Sequence, residues 1–199
     1  MRVKSNWFKA GSAKGATEVA GAAAFIAWRV AQNALKRMRG ARFELAAGAG
    51  YFDFLAELLA FLVVGADRIA YRRRDGAWRV EFTTEMANRV GAILAENESD
   101  LLASASAEDI KRRFVALVNE RAAECAAFAW DDAGPDYPLL RYLGHRVADV
   151  MDESERTWAV SQVIDVEAPE AAELLERAMA GLLDESPREP RRQRTMSGE

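Results

Sequence analysis

The sequence predicts an all-α protein, a single irregular bundle of about six helices around a buried central helix at residues 51–74. Three observations carry this. Alanine is abundant, while the 199 residues include only 13 Gly and 5 Pro. Apolar residues recur three and four apart in segment after segment. The stretch YFDFLAELLAFLVVGADRIAYRRR, Tyr51 to Arg74, is the most apolar run and has a helical rather than an alternating period. The nearest thing to a strand, VEFTT at 80–84, lies inside a longer helical period. No internal repeat is visible.

In chain order, residues 1–16 mix Gly, Ser, Ala and Lys around Trp7-Phe8 and read as a loose arm. The helical domain is expected over 17–184. Thr17 suits an N-cap, with Glu18 placed well for the helix dipole. The first helix then runs to Arg39, where Lys36, Arg37 and Arg39 close the last turn and Gly40 stops it. It carries two apolar stripes. One is Val19, Ala23, Ile26, Val30, Ala34 and Met38. The other is Phe25, Trp28 and Leu35, which could face a partner chain. Gly48-Ala49-Gly50 breaks the chain before the central helix, and Asp75-Gly76 ends that helix.

A third helix is expected from Trp78 to Glu96, with Glu85 and Arg89 paired on its outside. The polar stretch Asn97 to Ser106 follows. Ser106 and Asp109 have the spacing of a capping box. The fourth helix is read to Trp130, with Ile110, Phe114, Leu117, Val118, Cys125 and Phe128 on one face. DDAGPDYP, 131–138, is the clearest loop. From Leu139 no breaker occurs until Pro169, so a fifth helix is predicted to run unbroken into Ile164, with Ser154 and Trp158 on its inward stripe. Pro169 suits the first turn of a sixth helix. Residues 185–199 are polar, proline-containing and aperiodic, and read as a disordered tail.

Composition excludes several classes. One cysteine, Cys125, forbids an intrachain disulfide and a cysteine zinc site, and suits a cytoplasmic protein. The N-terminus has no apolar core of a signal peptide. The run Phe54 to Ala66 contains Glu57 and is 13 residues long. A membrane span needs about 20 apolar residues. Charge is uneven: +7 over 1–50, 0 over 51–90 and −11 over 91–199. A positive front and a negative rear could pair within one molecule or between copies.

Chemistry is sparse. A ferritin-like di-metal site needs two Glu-x-x-His pairs, and His145 is the only histidine. His145 and Asp149 share a polar stripe that should face water. On the central helix Asp53, Glu57, Ala60, Val64, Asp67 and Tyr71 form one narrow stripe. Asp53 and Glu57 lie one turn apart, about 6 Å along the axis, and Asp67 a further 15 Å or so away. The stripe is either the wet side of a core helix, a salt-bridge network with Arg29, Arg89 or Arg68, or a ligand pocket lined by Asp53, Glu57, Arg68 and Tyr71. The basic runs Arg72-Arg73-Arg74 and Arg188, Arg191, Arg192, Arg194 could touch phosphates, but no nucleic-acid-binding motif accompanies them. Phosphate-binding glycine motifs and nucleophile elbows are missing.

The expected function is a non-catalytic helical interaction or adaptor protein, with self-association through Phe25, Trp28 and Leu35 and no cofactor. The first alternative is a small-molecule or metal site on the Asp53/Glu57 stripe, with or without enzymatic activity. The second is nucleic-acid binding through the basic arm and tail.

Overall fold

The computed structural model describes residues 14–41, 49–102 and 105–184. Most of the arm, Gly48 and the tail fall outside them, while Ala49 and Gly50, read as part of a break, are the first residues of the second helix.

The first helix, α1 (Ala16–Gly40), starts from Gly15, which takes the cap position. Thr17 is therefore inside the helix, and its hydroxyl donates to Glu81 (2.8 Å). The buried face of α1 is mostly alanine. Short side chains let neighbouring helices approach closely, so α1 packs on α2 (Ala49–Tyr71), α3 (Gly76–Leu102) and α7 (Ala168–Leu183) at once. Most of both stripes is consumed within the fold. Trp28 and Leu35, expected on an outer face, are buried in this core, and only Phe25 of the three is exposed.

The central helix α2 touches all of α1, α3, α4 (Ala107–Glu124), α5 (Tyr137–Asp149) and α7. Every residue from Glu57 to Ala66 is buried. It ends at Tyr71, three residues earlier than the sequence suggests, because Asp75 turns to cap the next helix: its carboxylate accepts from the Trp78 N–H (2.9 Å). Helix α3 continues through Asn97 to Leu102, where a polar loop is expected. Glu98 is the reason: it is buried and paired with Arg113 of α4 (2.7 Å). The α4 cap is as read, with Ser106 Oγ accepting from the Asp109 N–H (3.1 Å).

Helix α4 stops at Glu124, six residues short of the expected end. A 3-10 turn at Cys125–Ala127 follows, then a minimal antiparallel hairpin, β1 (Trp130–Asp131) with β2 (Gly134–Pro135). Gly134 turns it at φ +99°, a conformation that favours glycine. Trp130 anchors the hairpin. Its ring lies over Gly65 of α2, where a Cβ would come within 2.3 Å, and its Nε1–H donates to Glu176 of α7 (2.7 Å).

The expected long fifth helix is broken. Helix α5 ends at Asp149, and α6 (Arg156–Gln162) begins after a turn. Asp149, Asp152, Glu153 and Glu155 lie three and four apart, and like charges at that spacing oppose a helix. The chain then stays helical through a π turn, Val163–Glu167, into α7. Pro169 therefore sits in a continuing helix instead of opening a separate one. Its ring crowds the carbonyl four residues back, and the wider π turn relieves that crowding. Ser154 and Trp158, expected inward, are both exposed. No helix of the described residues is long and apolar enough to cross a membrane.

Candidate functional site

The polar stripe of α2 is wet only at its ends. At the middle, Glu57 is buried and bonded on both oxygens by Arg121 of α4: Nε to Oε2 at 2.8 Å and Nη2 to Oε1 at 2.7 Å. The same guanidinium reaches Glu120 (2.9 Å) and Glu124 (2.8 Å), and the Tyr142 hydroxyl of α5 donates to Glu124. Hydrogen bonding to Glu57 holds the Arg121 pKa above its ordinary value, against the pull of burial. The Tyr142 hydrogen bond lowers that of Glu124. Burial, with that same bond, raises that of Tyr142.

This is a closed network. The space beside it, lined by Glu57, Phe61, Arg121, Cys125, Tyr142 and Leu143, amounts to ≈ 10 Å³. That is room for about one water, not for a ligand. Burial pushes the Cys125 thiol up to about 11, so it stays protonated and unreactive.

The other stripe residues go elsewhere. Asp53 is exposed at the start of α2. Partial burial of its carboxyl raises its pKa, Arg113 works against this, and Glu98 and Glu57 add to it. Asp67 accepts from Arg79 (2.8 Å) and Thr83 (2.6 Å) of α3. Arg68 donates to the carbonyls of Cys125 (2.9 Å) and Phe128 (3.0 Å), at the C-terminal end of α4, where a cation is favoured. Tyr71 is exposed, with the Arg79 guanidinium over its ring at 5.0 Å. Asp53, Glu57, Arg68 and Tyr71 therefore do not line one cavity. Arg68 and Tyr71 border a shallow groove of ≈ 560 Å³ between α2, α3 and α4, floored by Val63, Val64, Val118 and Ala122.

The partner of Glu57 is none of the arginines proposed from sequence. The sequence does hold the signal: Arg121 stands among Phe114, Val118 and Cys125, a lone charge on an apolar stripe. Such a residue must find an opposite charge inside the fold.

The basic run after α2 is structural as well. Arg72 donates to the Trp130 carbonyl (2.6 Å) and to Glu176 (3.2 Å). Arg74 donates to the Leu183 carbonyl (2.9 Å), with its guanidinium over Trp78. Both clamp α7 to the link between α2 and α3. His145 is exposed on α5, as its stripe suggests. Among the described residues no cluster of three or more His, Cys, Asp or Glu is arranged to hold a metal ion.

A second surface was not foreseen. Trp158 of α6 is 73% exposed. It stands over a cleft of ≈ 470 Å³ lined also by Glu155, Ser161, Gln162 and Asp165 and by Ala41 at the end of α1. Below the cleft Glu167 is buried, accepting from Arg37 (2.9 Å) and Gln162 (3.1 Å), which ties the π turn to α1.

Comparison with known proteins finds no matching family model, no matching curated protein and no matching solved structure.

Proposed function

We propose that the chain is a non-catalytic helical interaction protein that associates with itself, using the end of the bundle where Trp158 stands. The observation behind this reading is that large exposed indole over an open cleft. Tryptophan is among the residues most often found at the energetic centre of protein interfaces. The α2 stripe supports the same reading by elimination. Its one buried carboxylate and its arginine are fully engaged in holding helices together, which leaves neither as an acid or base. The apolar surplus of α1 does not serve, since Trp28 and Leu35 are core. Sedimentation velocity from low to high micromolar concentration tests the proposal. The mean mass should rise with concentration in the native chain and not in Trp158→Ala. A native chain that stays monomeric throughout removes it.

A second reading rests on the groove between α2, α3 and α4, whose ≈ 560 Å³ is within the range of small-molecule sites, about 300–1,000 Å³. Its floor is apolar, so the ligand class would be an apolar small molecule. A thermal upshift with apolar probes, lost in Ala122→Trp, supports it. An absence of any upshift sinks it.

A further inference from the structure

We infer that the groove between α2, α3 and α4 is the seat of the chain's own N-terminal arm, with Trp7 and Phe8 as the side chains that enter it. The inference goes beyond self-association. It fills from within the chain the groove that the second reading gives to a small molecule.

The groove is an apolar surface in want of cover. Tyr71 of α2 and Val80 of α3 line it, each 66% exposed. Two of the six large hydrophobic residues exposed among the described residues thus meet at one place, over a floor that is itself apolar. Exposed apolar patches of this kind mark places where something docks. The three charged residues that line the groove are answered within the fold, Asp67 by Arg79 and Arg68 by two carbonyls, so an apolar occupant is favoured over a charged one. Thr84 and Asn119 stand at the rim and offer hydrogen-bonding groups to an indole N–H.

Reach and composition decide which segment fills it. The stretches outside the described residues are 1–13, 42–48, 103–104 and 185–199. Residues 103–104 are Ala and Ser. Phe43 follows the far end of α1, a 25-residue helix about 37 Å long. It lies two residues from Ala41 and strays from there by about 7 Å at most. The tail leaves the fold beside Arg74, but apart from its prolines it offers Met196 alone as an apolar side chain. The arm carries an indole and a phenyl ring side by side, and it joins the fold at the right end: Thr17 donates to Glu81, the residue next to Val80. Helices α1 and α4 both pack on α2 and α3, so the arm has only α3 to round before it meets the groove. A helix is about 10–12 Å across with its side chains. Trp7 stands eight residues before Gly15, and that length of extended chain spans about 26–29 Å at most. A segment tethered this closely acts at an effective concentration in the millimolar range, which selects the chain's own arm over that of a second copy.

The test is paramagnetic relaxation in the full chain, with a nitroxide attached at Ser5→Cys. Cys125 is buried and keeps its proton, so the native thiol stays unlabelled. The backbone amide signals of Val80, Thr84, Asn119 and Ala126 should be at least two-fold weaker than with the label reduced. Those of Lys36 and Trp158, at the far end of the bundle, should keep their intensity. Adding Trp7→Ala and Phe8→Ala, which alters no described residue, should restore the groove signals, and so should Ala122→Trp, which fills the floor. Groove signals at full intensity beside the active label overturn the proposal. So does broadening that persists without the two rings or with the floor filled. Broadening that arises when isotope-enriched, unlabelled chain is mixed with spin-labelled chain at natural abundance assigns the contact to a second copy and overturns it as well. Self-association is decided separately, by sedimentation.

Discussion

Trp28 and Trp158 occupy similar helical stripes and meet opposite fates: one is 7% exposed, the other 73%. The difference lies in the neighbours. Helix α1 is long and has α2, α3 and α7 around it, and Trp28 lies on a side that they cover. Helix α6 has seven residues, follows an acidic turn, and packs chiefly on α5 and the adjoining π turn. Gly144 of α5 sets how close that approach is, its Cα region lying against Ile164 and the Val160 carbonyl. The rest of α6 is left outward. An apolar stripe says that a residue can be buried. It does not say that an element is there to bury it.

The same contrast governs charge. On the α2 side Glu57 is met by Arg121 and taken out of water. On the α6 side Glu155 and Asp165 line an open cleft. The sharpest way to break the comparison is Arg121→Ala, which strands Glu57 as a buried unpaired charge. It should lower stability by about 3–5 kcal/mol, read from the denaturant midpoint. Replacing both partners by apolar residues of like volume should recover most of that loss. Gly65→Ala comes next, since its Cβ would stand 2.3 Å from the Trp130 ring. The overpacking should cost about 1–3 kcal/mol and show as a lost near-ultraviolet signal of that indole. Asp136→Ala removes the side chain that caps α5, where Oδ1 accepts from the Leu139 N–H (2.9 Å). That should cost about 1 kcal/mol in the same denaturant assay.

The smallest effects sharpen the contrast instead of breaking it. Trp158→Ala should change unfolding free energy by less than about 0.5 kcal/mol, because the ring covers little of the fold. A loss like that of a core tryptophan would show α6 to be better packed than its exposure indicates. Asp53→Asn probes the wet end of the α2 stripe. The folded-state pKa of Asp53 is raised, so its contribution is full below the unfolded value and declines as pH rises through the folded one. The variant should therefore be slightly more stable than the native chain at neutral pH, with the gain vanishing in acid. A gain that grows on acidification would reverse the sign.

Much of this was legible beforehand. The helical class, the burial of α2, the Ser106 cap and the Glu85–Arg89 pair (2.6 Å) follow from local spacing, and local spacing is what a sequence displays. The break before α6 was visible in Asp149, Asp152, Glu153 and Glu155, had their mutual repulsion been weighed against the absence of Gly and Pro. Arg121 was visible as a charge on an apolar stripe. Its pairing with Glu57 was not, because the two are 64 positions apart and several arginines compete for that carboxylate.

By itself, then, the sequence determined that the chain is helical, which run lies at its centre, and where charge accumulates. These depend on the 3.6-residue period and on composition, both local. Only the tertiary structure decided which of the two tryptophans is covered, that the Asp53–Tyr71 stripe serves three separate contacts, and that Arg72 and Arg74 hold α7. Those outcomes depend on which helices approach one another and how closely. That is fixed by small residues such as Gly65 and the alanines of α1, whose effect appears only once a neighbour is in place.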